Sequence, residues 1–243
     1  MTAADVRVVW RETSALAAAE LDAALALLSD DERDHHRRFH FAEDARDYAA
    51  AHALLRASLS AACPGTAPRE WRFDREVDGK PALAGGRAPL PSFSLTHGAG
   101  MVACAIAPPG VAVGVDVERV DRRVDYERLA SRFFAPPEIA ALASLDDRTR
   151  RERFFDLWTL KEAAVKALGR TLLPSLPSIA FEIREQPGGA AIRGRGPLLA
   201  DGARWTFALH TLETDYRLAV AASHDRAAPM TISFAPAHPS VEF

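Results

Sequence analysis

The chain has 243 residues, 48% hydrophobic and 26% charged, with a formal net charge of −3. That is enough to bury one large core or two of about 120 residues, and so small a charge excludes a global field for nucleic acid or an anionic membrane as partner. Its two cysteines, Cys63 and Cys104, stand far apart and outside metal-ligand spacing, which excludes a disulfide framework and fits a reducing cytoplasm. In chain order, 6–10 reads as a strand, and Leu21, Leu25 and Leu28 mark a helix; acidic residues stand where a targeting segment needs a basic one. A dense mix of both charges follows Asp30, then an alanine-rich helix whose apolar face carries Tyr48, Ala51, Leu55 and Leu59. Pro64, Gly65 and Pro68 break it, and VDGKP at 77–81 presents Lys80 from a stiff turn between Gly79 and Pro81.

From Phe93 the pattern turns to strands: 93–97, 101–107 and 111–118, in outline a three-strand meander. The apolar run 101–115 is broken by Pro108, Pro109 and Gly110, so it reads as two strands and a turn rather than a membrane span. Residues 121–134 read as an arginine-bearing helix, a second helix opens on Pro136, and 154–169 is an amphipathic helix ending at a glycine. Strands recur at 179–184, 205–212 and 216–223, and the pairs near 93–107 and 205–223 match in pattern, hinting at a duplicated unit. Residues beyond about 225 read as a loose tail.

Three features carry chemistry. Asp116 and Glu118 alternate on one strand and so share a face, where two carboxylates repel unless a cation separates them. On the helix, Phe155, Trp158, Glu162, Val165 and Lys166 recur at helical spacing, so a carboxylate and an ammonium emerge one turn apart beside an aromatic stripe. Of the 30 basic residues only Lys80, Lys161 and Lys166 are lysine, the compact point charge that suits a single phosphate oxygen. Asp116, Glu118 and Glu162 are hard oxygen donors without a Cys or His cluster, which points to Mg²⁺ or Mn²⁺. His97, beside a glycine turn, and the arginines near 37 add positive charge for a polyphosphate ligand in a chain without a P-loop. The pieces specify metal-assisted phosphoryl-type chemistry without specifying the substrate, open between a transferase, another Mg²⁺-dependent phosphohydrolase and a non-catalytic binding module.

GVDVE at 114–118 followed by WTLKEAAVK at 158–166 resembles the paired signature of the Sfp-type 4′-phosphopantetheinyl transferases. RRFHFAEDARDY at 37–48, DGKP at 78–81 and FSLTHG at 93–98 extend the likeness in the family's order. The resemblance implies an α+β pseudo-dimer of two similar subdomains, 1–110 and 111–243, with coenzyme A in the cleft between them. It implies transfer of phosphopantetheine from coenzyme A to a serine of an apo carrier protein of fatty-acid, polyketide or nonribosomal peptide synthesis, by a cytoplasmic monomer. By position, Asp116, Glu118 and Glu162 would hold Mg²⁺, Glu162 would also take the serine proton, and Lys166 would stabilise the departing phosphate. Arg37, Arg38, Gly79, Lys80, Pro81, Thr96, His97 and Lys161 would contact coenzyme A. Glu32 and His35 stand where the family often places basic residues against the 3′-phosphate, with Arg33 or Arg37 as substitutes.

Overall fold

The structure, a computed structural model, describes residues 5–75, 81–84, 89–170, 172–187, 189–199, 204–213, 216–225 and 230–237. The chain forms two compact units, Met1–Gly110 with Thr231–Phe243, and Val111–Met230. Both combine helices with mostly antiparallel strands, an α+β architecture as expected. Among the described residues, no helix is long and apolar enough to cross a membrane.

The first unit opens with β1 (Val6–Glu12), α1 (Ala18–Leu27), α2 (Asp30–His36) and α3 (Ala42–Ala62). After two short paired strands, β2 (Phe73–Arg75) and β3 (Pro81–Leu83), come β4 (Ser92–Gly98) and β5 (Met101–Ala107). The apolar face of α3, with Ala51, Leu54, Leu55 and Leu59, packs on Val9, Phe93 and the alternate residues Val102, Cys104 and Ile106 of β5. At α2, Ser29 caps the helix by accepting from the Glu32 N–H while Glu32 returns to the Ser29 N–H at 2.7 Å.

The second unit runs β6 (Ala112–Arg119), α4 (Tyr126–Phe133), α5 (Pro136–Ala143), α6 (Asp147–Leu168) and α7 (Leu172–Ser175). A 3₁₀ turn, Leu176–Ser178, leads to the hairpin of β7 (Ala180–Gln186) and β8 (Gly189–Arg195), then β9 (Arg204–Leu212) and β10 (Tyr216–His224). β10 is the centre of a sheet ordered β6-β10-β9, on which α6 packs. Asp146 caps α6 by accepting from the Thr149 N–H at 3.1 Å, and Gly169 closes it at φ 62° in the left-handed region.

Three expectations are corrected here. The meander does not form: β4 pairs with β5, but β6 pairs with β10, because Pro108 and Pro109 offer no N–H to a ladder and Gly110, at φ 81°, turns the chain away. The loose tail is β11 (Ile232–Pro236), parallel to β1 in a sheet ordered β11-β1-β5-β4, so both ends of the chain build the first unit. The arginine-bearing helix starts only at Tyr126, because Asp125 caps it by accepting from the Arg128 N–H at 3.0 Å, leaving 120–125 as turn and loop.

Candidate active site

The site is built where β6 meets α6. Gly114, Asp116 and Glu118 occupy alternate positions of β6 and therefore one face, the face α6 covers. A Cβ on Gly114 would lie 1.9 Å from the Ala163 carbonyl oxygen and 2.6 Å from the Ala167 nitrogen. Only glycine admits this backbone approach, and it brings Glu162, the neighbour of Ala163, to the two strand carboxylates. One ligand atom from each of Asp116, Glu118 and Glu162 lies within 4.8 Å of the other two.

The charges in this cluster conflict. Burial, then the charge of Asp116, pushes Glu162 up to about 8, against the pull of Lys166. Glu118 is raised for the same two reasons, opposed by Arg122, whose guanidinium donates to it at 3.1 Å. Burial would lower Lys166, but Asp116 and Glu162 reverse that and raise it. Its ammonium lies 2.6 Å from Asp116 Oδ1 and 3.3 Å from the Val115 carbonyl oxygen. The side chain of Trp158 also favours the ionised form of both Glu118 and Glu162. Three hard carboxylates against the Lys166 ammonium and the Arg122 guanidinium still leave negative charge in excess, and a single divalent cation fits that donor set.

The other expected residues fall in different places. Lys161 does not reach a ligand: it is fully buried, 2.8 Å from Glu138 Oε2, and donates to the carbonyls of Leu176 and Ile179. Being next in sequence to Glu162, it points about 100° away round the helix, into the core, which corrects its assignment to coenzyme A. Arg37 is exposed and paired with Asp34 at 2.8 Å, and Arg38 is exposed. Thr96 is buried, and His97 is exposed with its ring edge-on to Tyr48 at 6.5 Å. Pro81 opens β3 on the surface, while Gly79 and Lys80 lie outside the described residues.

Glu32, which breaks the expected basic pattern, faces inward. It bonds Arg56, itself 1% exposed, at 2.8 Å and His52 at 2.8 Å. Burial alone would raise its carboxyl, but His52, the Ser29 amide and Arg56 hold it down at about 2. Arg33 and His36 of α2 and its C-cap Arg37 line an open groove of about 530 Å³ with Arg69 and the carboxylate of Asp22. Of the arginines after the metal strand, Arg119 pairs with Asp121 at 2.8 Å and Arg122 with Glu118, while Arg123, Arg128 and Arg132 are exposed on loop and helix. Phe133 and Phe134 are core residues. Sequence reasoning took Trp158 as a packing residue and did not see Arg122 as the partner of Glu118; Gly114, a glycine inside a strand, was the one local signal of a close approach.

Two family models match the chain: the 4′-phosphopantetheinyl transferase superfamily over residues 112–221 and the 4′-phosphopantetheinyl transferase N-terminal family over 12–108. The 4′-phosphopantetheinyl transferase HetI of Nostoc sp. is 36% identical over 162 residues, 66% of this chain and 68% of that one. A 4′-phosphopantetheinyl transferase of Bacillus subtilis is 30% identical over 212 residues, 86% of this chain and 88% of that one. Among solved structures, a holo-(acyl-carrier-protein) synthase from Bacillus anthracis, in complex with CoA (3′,5′-ADP), is 14% identical over 47% of this chain and 96% of that one, at a TM-score of 0.38. The sequence relatives, not this structural likeness, carry the assignment, and they set aside the phosphohydrolase and the binding-module readings. With its strand carboxylates, helix carboxylate and lysine gathered in the segment that the superfamily model matches, the chain belongs to the 4′-phosphopantetheinyl transferase family.

Proposed function

We propose that the protein transfers 4′-phosphopantetheine from coenzyme A to a serine of an apo carrier protein, with Mg²⁺ held by Asp116, Glu118 and Glu162. The observation that carries this reading is the three-carboxylate cluster with Lys166 inside it, formed by the close approach at Gly114. Mg²⁺, when bound there, neutralises the diphosphate and makes the departing phosphate a better leaving group. Glu162, the carboxylate that comes from the helix and not the strand, is the group we assign to take the serine proton as well. The serine oxygen then bonds to the phosphorus that bears pantetheine, the bond from that phosphorus to the bridging diphosphate oxygen breaks, and adenosine 3′,5′-bisphosphate leaves. The Lys166 ammonium stabilises the negative charge on the leaving group as a point charge.

For the 3′-phosphate, the groove in which Arg33, His36, Arg37 and Arg69 outnumber the lining carboxylate Asp22 supports an anion contact, and Glu32 turns inward instead of lining it. His97 remains the candidate phosphate contact on β4, and Lys80 with Gly79 and Pro81 the candidate contact on the adenine side. Carriers present acidic surfaces to their modifying enzymes, and the exposed Arg123, Arg128 and Arg132 suit that partner. We place the enzyme in the cytoplasm as a monomer serving fatty-acid, polyketide or peptide synthases. The test is incubation with coenzyme A, Mg²⁺ and a panel of apo carriers, followed by weighing the carriers. A gain of one phosphopantetheine group on at least one carrier is expected; a panel left entirely unmodified, or coenzyme A hydrolysed without a modified carrier, overturns the reading.

A further inference from the structure

Lys161 and Glu138 are 0% and 2% exposed, and their ion pair is the most completely buried in the second unit among the described residues. The pair is saturated. Lys161 uses its three N–H donors on Glu138, the Leu176 carbonyl at 2.9 Å and the Ile179 carbonyl, with the Phe134 ring 5.2 Å away. Glu138 also accepts the Phe181 N–H at 2.8 Å and the Ala135 N–H at 2.8 Å. The pair thus ties α6 to the start of α5, the 3₁₀ turn and β7.

A buried ion pair gives little or no net stability over a well-packed apolar pair of similar size, so stability alone does not account for it. An apolar contact tolerates sliding and rotation, whereas an ammonium with three fixed acceptors does not. Lys161 and Ala163 lie about 200° apart round α6, and Glu162 lies midway between them. Ala163 is the residue whose carbonyl meets Gly114 of β6. The helix is therefore held on two opposite sides, immediately before and after the residue that must meet Asp116 and Glu118.

We propose that Lys161 and Glu138 are a positioning pair that fixes the rotation of α6 and so the approach of Glu162 to Asp116 and Glu118. The consequence for catalysis rests on the metal-site reading above; the consequence for carboxylate geometry does not.

The test compares wild type, Lys161→Met, Glu138→Gln and the double variant by thermal unfolding, by Mn²⁺ affinity, by kcat for carrier modification, and by the indole N–H resonance of Trp158 in metal-free protein. That resonance, assigned with Trp158→Phe, reports the surroundings of Glu118 and Glu162, whose ionised forms Trp158 favours. Each single variant leaves a buried group short of its partner and is expected to lower Tm, and the double variant to regain most of it. In the double variant we expect Mn²⁺ affinity and kcat to remain at least tenfold down and the Trp158 resonance to stay displaced. Recovery of Tm together with wild-type affinity, kcat and resonance overturns the proposal and leaves the pair a role in folding only. Glu138→Gln keeps one acceptor oxygen, for the Phe181 or the Ala135 amide, and is the milder variant should the double not fold. A folded Glu138→Gln with an unmoved Trp158 resonance equally overturns the proposal. Failure of wild type to bind Mn²⁺ would refute the metal reading alone, since the resonance still decides whether the pair sets the carboxylates.

Discussion

Gly114→Ala adds one methyl group at the point where strand and helix are closest. Its Cβ would lie 1.9 Å from the Ala163 carbonyl oxygen, and ordinary contact begins near 3.4 Å, so the two backbones must part by about 1.5 Å. Both clashing atoms, the Ala163 oxygen and the Ala167 nitrogen, are helix backbone, so no side chain can swing aside. Overpacking of this kind costs about 1–3 kcal/mol, and at about 2–4 °C per kcal/mol Tm falls by several degrees. The larger effect falls on the site, because Glu162 moves with the helix. A displacement of about 1 Å at a reacting centre costs on the order of 10²-fold in rate. The assay is kcat for carrier modification at saturating Mg²⁺ beside a thermal unfolding curve, both against wild type. A folded Gly114→Ala protein with wild-type kcat would refute the claim that this contact sets the carboxylate spacing.

Four further outcomes are expected. Mn²⁺ binding, measured by calorimetry, should tighten as pH rises toward about 8 and level off above it, because the raised Glu162 must lose its proton first; an affinity flat across that range would contradict this. Lys166→Arg should lose most of kcat although charge is retained, since a fork does not fit where one ammonium sits 2.6 Å from Asp116; wild-type kinetics would sink this. Glu32 has a folded pKa of about 2 against an unfolded value near 4.5, so its contribution is present above about 4.5 and lost as pH falls toward 2. At about 1.4 kcal/mol per unit the loss is at most about 3 kcal/mol, and urea unfolding of Glu32→Gln across that window should show a flatter acid limb than wild type. Arg123→Glu with Arg128→Glu should slow carrier modification at low salt and leave the coenzyme A KM unchanged; a rate indifferent to both reversal and ionic strength places docking elsewhere.

What the sequence revealed of the site followed from local periodicity. Alternation put Asp116 and Glu118 on one strand face, and helical spacing put Glu162 and Lys166 one turn apart, both relations internal to one element. Lys161, one of three lysines read as point charges for phosphate, follows Leu157 by four residues and precedes Ala164 by three, the spacing of the buried face. Only the acceptors on Glu138, Leu176 and Ile179 make that burial tolerable, and nothing local to Lys161 announces them. Long-range pairing was equally hidden: β11 joins β1 across more than two hundred residues, and β6 finds β10 rather than its sequence neighbour β5. The pairs β4-β5 and β9-β10, separated by only two and three residues, were legible because their partners are adjacent in the chain.

The central claim is that Asp116, Glu118 and Glu162 form one divalent-metal site on which transfer depends, and counting bound Mn²⁺ by electron paramagnetic resonance while following carrier modification tests it most directly. The account predicts one Mn²⁺ per chain, a transfer rate that rises with occupancy, and loss of both in Asp116→Asn and in Glu162→Gln. Full transfer in excess chelator, or undiminished Mn²⁺ binding in those two variants, would contradict it.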